Sequence, residues 1–236
     1  GTVRVAYLPD SLPFAFRNRA GQVTGFDAEM ANFLALDLGV ELELVRTSYD
    51  DINRLFESGQ IDIVMSGLGI TSTRARKWDI GEPMMDLTLG LLVPDYRRKQ
   101  FSNVGQLAAM KGVRLGVAQN DQAFKRRMAS SLPLAELVDV SSPREFMRGN
   151  RTDLDAVIYS AEGGSAWTLV YPDYSVVVPQ GANVRVPMGY PLPKGDPEWH
   201  AFVSAWVGLQ KKNGTFDRLF NHWIRGGGAK PTEPRW

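Results

Sequence analysis

Asp27-Ala28-Glu29-Met30-Ala31-Asn32-Phe33-Leu34-Ala35-Leu36-Asp37-Leu38-Gly39-Val40-Glu41-Leu42-Glu43-Leu44-Val45-Arg46 decides the fold. Met30, Phe33, Leu34 and Leu38 recur at helical spacing over Asp27–Leu38. Gly39 is the residue type that ends a helix. Glu41–Arg46 then reads as a strand. Upstream, Val3–Tyr7 alternates and is β-rich, so it reads as a first strand, followed by a turn-rich loop at Pro9–Pro13. Phe14–Arg17 and Gln22-Val23 read as short strands around a turn at Asn18–Gly21. Downstream come a short helix over Tyr49–Ser58 and a third strand over Asp62–Ser66. Strand and helix alternate, which is the signature of an α/β unit with a mainly parallel sheet.

The pattern restarts after the apolar strand Leu87–Val93. Helices are expected at Ser102–Met110, Gln122–Ser130, Pro143–Gly149 and Ala161–Val170. Strands are expected at Arg114–Ala118, Leu137–Val140, Ala156–Tyr159 and Tyr174–Val178. Val184–Leu192 is the candidate return crossing, and helices over Glu198–Lys212 and Thr215–Ile224 follow. The expected architecture is two α/β lobes, each a mainly parallel sheet flanked by helices and joined by two crossover strands, with a cleft between them. Residues 1–89 with 190–225 form lobe 1, 90–189 form lobe 2, and 226–236 read as a linker or tail. In open α/β sheets ligands bind beyond the carboxyl ends of the strands. The loops after Tyr7, Ser66, Ala118 and Tyr159 lie there.

Composition narrows the chemistry. In 236 residues there are 27 basic and 26 acidic side chains, so no global field favours nucleic acid or an anionic membrane. The absence of cysteine excludes disulfides, thiolate catalysis and Cys-ligated zinc. The two histidines, His200 and His222, lie in helical segments, where capping or surface roles outnumber ligation, so no metal and no cofactor is expected. No run of about 18 apolar residues is present to span a membrane. The abrupt start, Gly1 to Ala6, runs straight into a strand, as in a mature or trimmed form. There is no Gly-x-Ser-x-Gly elbow, P-loop or Rossmann glycine fingerprint.

Several stretches stand in order along the chain. Gly25-Phe26-Asp27 opens the first helix, and Asp62-Ile63-Val64-Met65-Ser66-Gly67 runs into Thr71-Ser72-Thr73-Arg74. Trp78-Asp79-Ile80-Gly81-Glu82-Pro83 follows, and Asn213-Gly214-Thr215-Phe216-Asp217-Arg218-Leu219 with Trp223 comes near the end. Together they resemble the polar-amino-acid type of bacterial extracytoplasmic solute-binding proteins, the family 3 group serving ABC importers, over nearly the whole chain. The resemblance implies a type II periplasmic-binding-protein fold that closes about a hinge on a small carboxylate ligand. It further implies a periplasmic or extracytoplasmic location, and a membrane transporter or sensor as partner, free or fused. The chain is expected to be a monomer with no nucleic-acid partner and no enzymatic activity.

The resemblance also assigns residues. Arg74 matches the arginine that grips the ligand carboxylate, a task suited to its planar fork of donors. The alternative is a surface arginine in a basic cluster with Arg76 and Lys77. Ser66, Gly67, Leu68 and Gly69 match the stretch that presents main-chain groups to the ligand, or else form a plain strand-end turn. Tyr49 matches an aromatic shelf, or else packs half-buried. Tyr7, Asp10 and Ser11 belong to the first loop, and Gln119, Asn120, Asp121 and Gln122 to the lobe-two loop at a helix start, with Asp121 also a candidate cap. Tyr159, Ser160 and Glu162 complete the set.

The chain departs from the pattern where an amino acid's ammonium is met. Ser160 stands at the position of the usual acid, Gly69 at that of the usual threonine, Leu8 at the first-loop acid and Ser11 at the first-loop aromatic. An unpaired buried ammonium is costly. The expected ligand is therefore an amino acid or a small organic acid, with Glu162 able to rescue ammonium binding from the next turn. Two other functions stay open. One is a cyclohexadienyl (prephenate) dehydratase, with Glu162 or Asp121 as general acid. The other is a ligand-free sensor or interaction ectodomain.

Overall fold

A computed structural model of the protein describes residues 1–118 and 122–228. Two compact units divide the chain: Gly1–Ile70 with Arg74–Asp86 and the described residues from Pro187 onward, and Thr71–Thr73 with Leu87–Val186. The first unit opens with β1 (Thr2–Tyr7), β2 (Asp10–Ser11), β3 (Ala15–Arg17), β4 (Val23–Thr24) and α1 (Phe26–Leu38). It continues with β5 (Glu41–Arg46), α2 (Ile52–Glu57), β6 (Ile63–Val64), α3 (Ser72–Lys77) and β7 (Asp79–Ile80). β8 (Met85–Pro94) carries the chain onward.

After β8 come a 3-10 segment (Asp95–Phe101), α4 (Val104–Ala109), β9 (Arg114–Ala118), α5 (Gln122–Ser131) and β10 (Glu136–Val140). Then follow α6 (Pro143–Met147), β11 (Ala156–Ser160), α7 (Ala161–Val170), β12 (Tyr174–Val177) and β13 (Arg185–Met188). The chain returns to the first unit for β14 (Pro191–Leu192), α8 (Pro197–Lys212) and α9 (Thr215–Trp223).

In the first unit β1 lies between β5 and β6, and both pairings are parallel. Tyr7 pairs with Arg46, so the carboxyl ends of β1 and β5 align. Ala6, Ile52, Leu55, Ile61, Val64, Leu68 and Trp78 form one core cluster beneath that edge. Leu68 and Trp78 in this cluster bury the two ends of the segment that carries Arg74. Gly39 closes α1 in the left-handed conformation (φ 66), and Val40 N–H reaches back to Ala35 O at 3.0 Å.

The second unit carries the strand order β10-β9-β11-β8-β12, with β13 also on β8. β9 pairs in parallel with β10 and β11, but β8 is antiparallel to β11 and β12. The sheet is therefore mixed rather than mainly parallel. β8 enters from the connection and not through a crossover helix, so the right-handed βαβ rule does not set its direction.

Several element limits also differ from expectation. The helix expected over Ser102–Met110 begins at Val104, because the Asn103 side chain accepts from Gly105 N at 2.8 Å and Gln106 N at 3.2 Å. The 3-10 turn before it has no apolar periodicity to announce it. The helix expected from Tyr49 begins at Ile52, since Ser48 Oγ donates to Asp51 Oδ2 at 2.7 Å and sets a turn first. The third strand keeps only Ile63 and Val64 in its ladder, and Gly67 beyond it turns left-handed at φ 65.

Candidate functional site

The first unit builds its polar site just past β6. Arg74 is on α3 and only 5% exposed. Its Nη1 donates to the Gly69 carbonyl at 2.6 Å and its Nε to the Tyr49 hydroxyl at 3.3 Å. Its Cζ also lies 5.2 Å from the Tyr49 ring centroid. A guanidinium stays charged at any ordinary pH, so its burial demands hydrogen-bond partners that fix its plane. Tyr49 is half-buried and braced edge-on by Trp78, with ring centroids 5.6 Å apart. Trp78 is held in turn by Asn53 Oδ1 at 2.6 Å from its indole nitrogen.

Each expected residue of the Ser66–Gly69 stretch has a definite place. Ser66 is buried, and its hydroxyl accepts from Leu8 N at 2.9 Å, tying the stretch to the loop after β1. Gly67 N donates to Asp27 Oδ2 at 2.6 Å. A Cβ at Gly67 would lie 2.3 Å from the Phe14 ring. Leu68 belongs to the core, and its carbonyl accepts from Gly189 N at 3.1 Å. Gly69 bridges to Met188 and supplies the carbonyl that Arg74 takes.

The first-loop residues lie at the end of β1 and in β2. Tyr7 is buried at the end of β1, its hydroxyl accepting from Arg17 Nη2 at 3.4 Å. Asp10 and Ser11 form β2 and pair with Phe16 and Ala15. Ser11 is buried.

In the second unit, Gln119, Asn120 and Asp121 lie outside the described residues, and Gln122 is the first residue of α5. Tyr159 is half-buried on β11, opposite Gly90. Ser160 caps α7, its hydroxyl accepting from Gly163 N at 3.1 Å. Glu162 accepts the Thr88 N–H at 3.1 and 3.0 Å through its two carboxylate oxygens. That bond occupies the carboxylate at the main chain of β8.

Sequence reasoning quoted Asp27 only as part of a motif and passed over its partner Tyr190. Both are fully buried and joined at 2.8 Å. The only sequence signal was a charged residue at a helix start with Phe26 and Ala28 on either side. Among the described residues, no group of three or more His, Cys, Asp or Glu is arranged to hold a metal ion. No helix among them is long and apolar enough to cross a membrane. His200 meets the Ile80 carbonyl at 3.2 Å, and His222 packs edge-on against Trp223.

The two α/β units define a type II periplasmic-binding-protein fold. Residues 3–226 match the bacterial extracellular solute-binding proteins, family 3, and the chain belongs to that family. Among its relatives is the cyclohexadienyl dehydratase of Pseudomonas aeruginosa, 25% identical over 227 residues covering 95% of this chain and 83% of that protein. The L-cystine-binding protein TcyJ of Escherichia coli K12 is 26% identical over 225 residues, again 95% and 83% of the two chains. Among solved structures, an ancestral amino acid-binding protein described as a precursor of cyclohexadienyl dehydratase superposes with a TM-score of 0.81. It is 32% identical, covering 95% of this chain and 96% of that one.

Proposed function

We propose that this chain is an extracytoplasmic solute-binding domain whose Arg74 takes the carboxylate of a small ligand. The observation that carries this reading is a guanidinium 5% exposed, fixed by the Gly69 carbonyl and the Tyr49 hydroxyl. A guanidinium is a planar, charged fork, and a carboxylate matches it in shape and charge. Family members work with ABC-transporter membrane components, and a membrane importer or sensor is the proposed partner.

The relatives named for amino-acid binding support an amino acid as ligand. Among the described residues of the second unit, Ser160 and Glu162 are the candidates for meeting its ammonium. Ser160 caps a helix, and Glu162 accepts the Thr88 N–H with acceptor capacity left on its carboxylate. The ligand class is therefore a small carboxylate, amino acid or organic acid. Thermal shift with L-arginine, L-cystine, succinate and malate tests it. A ligand at 100 times its Kd adds about 2.7 kcal/mol. For a chain of this size that is roughly 5–11 °C in Tm. At least one acid should give that shift, and Arg74→Ala should abolish it. No shift with any of the four, or a shift that survives in the Ala variant, overturns the reading.

A dehydratase is the second reading, favoured by the 25% identity to the Pseudomonas enzyme over most of both chains. Of the two candidate acids, Glu162 already accepts a main-chain N–H, and Asp121 lies outside the described residues. Incubation with prephenate and ultraviolet detection of an aromatic product tests it directly. Absence of product disposes of this second reading.

A further inference from the structure

One buried carboxylate in the first unit joins three chain segments. Asp27 is fully buried at the second position of α1. Its Oδ2 accepts Gly67 N–H at 2.6 Å, and its Oδ1 accepts the Tyr190 hydroxyl at 2.8 Å. The helix start is itself seated on the preceding loop. Phe26 N donates to Pro13 O at 3.0 Å, and Asp27 N donates to Phe14 O at 2.7 Å. A Cβ at Gly25 would lie 2.4 Å from Phe14 O, so this helix start tolerates only glycine there. Gly67 is thus clamped from two sides, by the Phe14 ring and by the Asp27 carboxylate.

From Gly67 the restraint runs onward to Arg74. Gly189 N donates to Leu68 O at 3.1 Å, and Ile70 N to Pro187 O at 2.5 Å. Tyr190, one residue past Gly189, is the residue whose hydroxyl Asp27 takes. The carboxylate therefore holds both sides of this seam, and the Gly69 carbonyl between them is the acceptor for Arg74 Nη1.

We propose that Asp27 is a positioning residue for Arg74: by holding Gly67 N–H and Tyr190 O–H together, it fixes the Ser66–Ile70 segment and, through the Gly69 carbonyl, the plane of the guanidinium. Only the last step, from guanidinium to ligand, rests on the carboxylate reading above. Burial pushes the Asp27 carboxyl up to about 6, against the hydrogen bonds from Tyr190 and Gly67. Among the described residues the titratable group facing it is the Tyr190 hydroxyl, itself pushed up by burial and by Asp27. The other acids of α1 are engaged elsewhere, Glu29 by Trp223 and Asp37 by Trp206 and Gln210. An ionised carboxylate makes the shorter, stronger bond to an amide, so the clamp tightens as pH rises through about 6.

The test uses 15N-labelled protein from about pH 4.5 to about 8, a range that brackets that midpoint. The Gly67 amide proton is expected to titrate with a midpoint near 6. The Gly69 amide should follow it, and both should be flat in Asp27→Asn. That variant keeps an acceptor for Gly67 N–H and turns its amide nitrogen toward the Tyr190 oxygen. In Tyr190→Phe the midpoint should rise, because the lost hydrogen bond favoured the ionised form. A Gly67 amide that does not titrate, or a titration that persists in Asp27→Asn, overturns the clamp.

In a binding arm with L-arginine, L-cystine, succinate and malate as probes, Asp27→Ala should weaken affinity roughly tenfold or more, as expected when support for a binding group is lost. Asp27→Asn should recover most of it. Unchanged affinity in Asp27→Ala refutes the positioning role. Should Asp27→Ala not fold, the Asn and Phe titrations decide alone. If no probe binds the unaltered protein, the carboxylate reading fails, and the amide titration still decides whether Asp27 holds the segment.

Discussion

The ends of β6 and β11 use polar side chains in opposite ways. Past β6, each polar group reaches a distant segment: Ser66 meets Leu8, Gly67 meets Asp27, and Arg74 meets Tyr49. Past β11 the chain turns directly into α7. Ser160 accepts from an amide three residues on, while Glu162 reaches the Thr88 N–H of β8. The first pattern leaves a buried, oriented charge, and the second leaves a capped helix. The difference lies in what is held: past β6 a buried guanidinium is fixed in orientation, and past β11 a hydroxyl is spent on its own helix's amide.

The sharpest way to break this contrast is Arg74→Ala. Truncating a buried charged partner costs about 4 kcal/mol, or roughly a thousandfold in affinity. Arg74→Lys keeps the charge but loses the planar fork, so its affinity should fall between the two. Titration calorimetry with whichever of the four acids binds reads both. Equal affinity for Arg74→Ala and the unaltered protein would remove the distinction between the two strand ends.

A pair of glycines sharpens it next. Gly67→Ala must hold a left-handed φ and place its methyl 2.3 Å from the Phe14 ring. Backbone and overpacking costs together come to about 3–4 kcal/mol of stability. Gly164→Ala in α7 places its methyl 2.7 Å from Val176 Cγ2, 3.2 Å from Val176 Cβ and 3.4 Å from Leu92 Cδ2, at an ordinary helical φ. It also gains about 1 kcal/mol of helix propensity. Its net cost should be about 0–2 kcal/mol. Urea denaturation of the two variants measures the difference, and comparable losses would contradict it.

Proton linkage at Asp27 comes third. The folded chain keeps this proton up to about 6, whereas an unperturbed carboxyl releases it near 3.8. Between those values the folded state binds more protons than the unfolded state. Stability therefore falls as pH rises from about 4 to about 6 and is level, for this group, above that. The total is about 3 kcal/mol. Asp27→Asn should erase this slope in denaturation curves taken across the range. Ser160, at the end of β11, does not titrate and contributes no such slope.

Much of the fold was legible in the sequence, and less of the site. Glu41–Arg46, Arg114–Ala118 and Ala161–Val170 were read with their observed limits, because periodicity reports burial along one element. The antiparallel β8 was not legible, since strand direction depends on where the chain enters a sheet. Arg74 was singled out through its resemblance, while Asp27 passed as an ordinary first-turn acid. Nothing in Gly25-Phe26-Asp27-Ala28 states that its carboxylate is buried and meets Gly67 and Tyr190, 40 and 163 positions away. Side-chain hydrogen bonds between distant segments leave no periodic trace. For the same reason nothing in the sequence announced that the Thr88 N–H occupies part of the Glu162 carboxylate.

Glu162→Ala turns that occupancy into a measurement. It leaves the half-buried Thr88 N–H without its acceptor and should cost about 2 kcal/mol of stability. Affinity for the probe acids should stay within a factor of about three, below the 1 kcal/mol typical of a lost contact. A large fall in affinity would place Glu162 in ligand recognition and make the two strand ends alike.

Ser160→Ala is the smallest of these effects and tests the local half of the contrast. The Ser160 hydroxyl accepts from Gly163 N at 3.1 Å, one of the α7 amides that no earlier carbonyl in the helix can satisfy. Removing a cap of this type costs about 1 kcal/mol. Ser160→Asp keeps an acceptor at the same position and adds a negative charge at the helix start, so it should match or exceed the unaltered stability. If Ser160 is a cap and nothing more, the Ala variant loses stability without losing affinity, and the Asp variant restores it. If Ala leaves stability unchanged while affinity falls, then the hydroxyl serves the ligand, and the end of β11 is as much a part of the site as the end of β6.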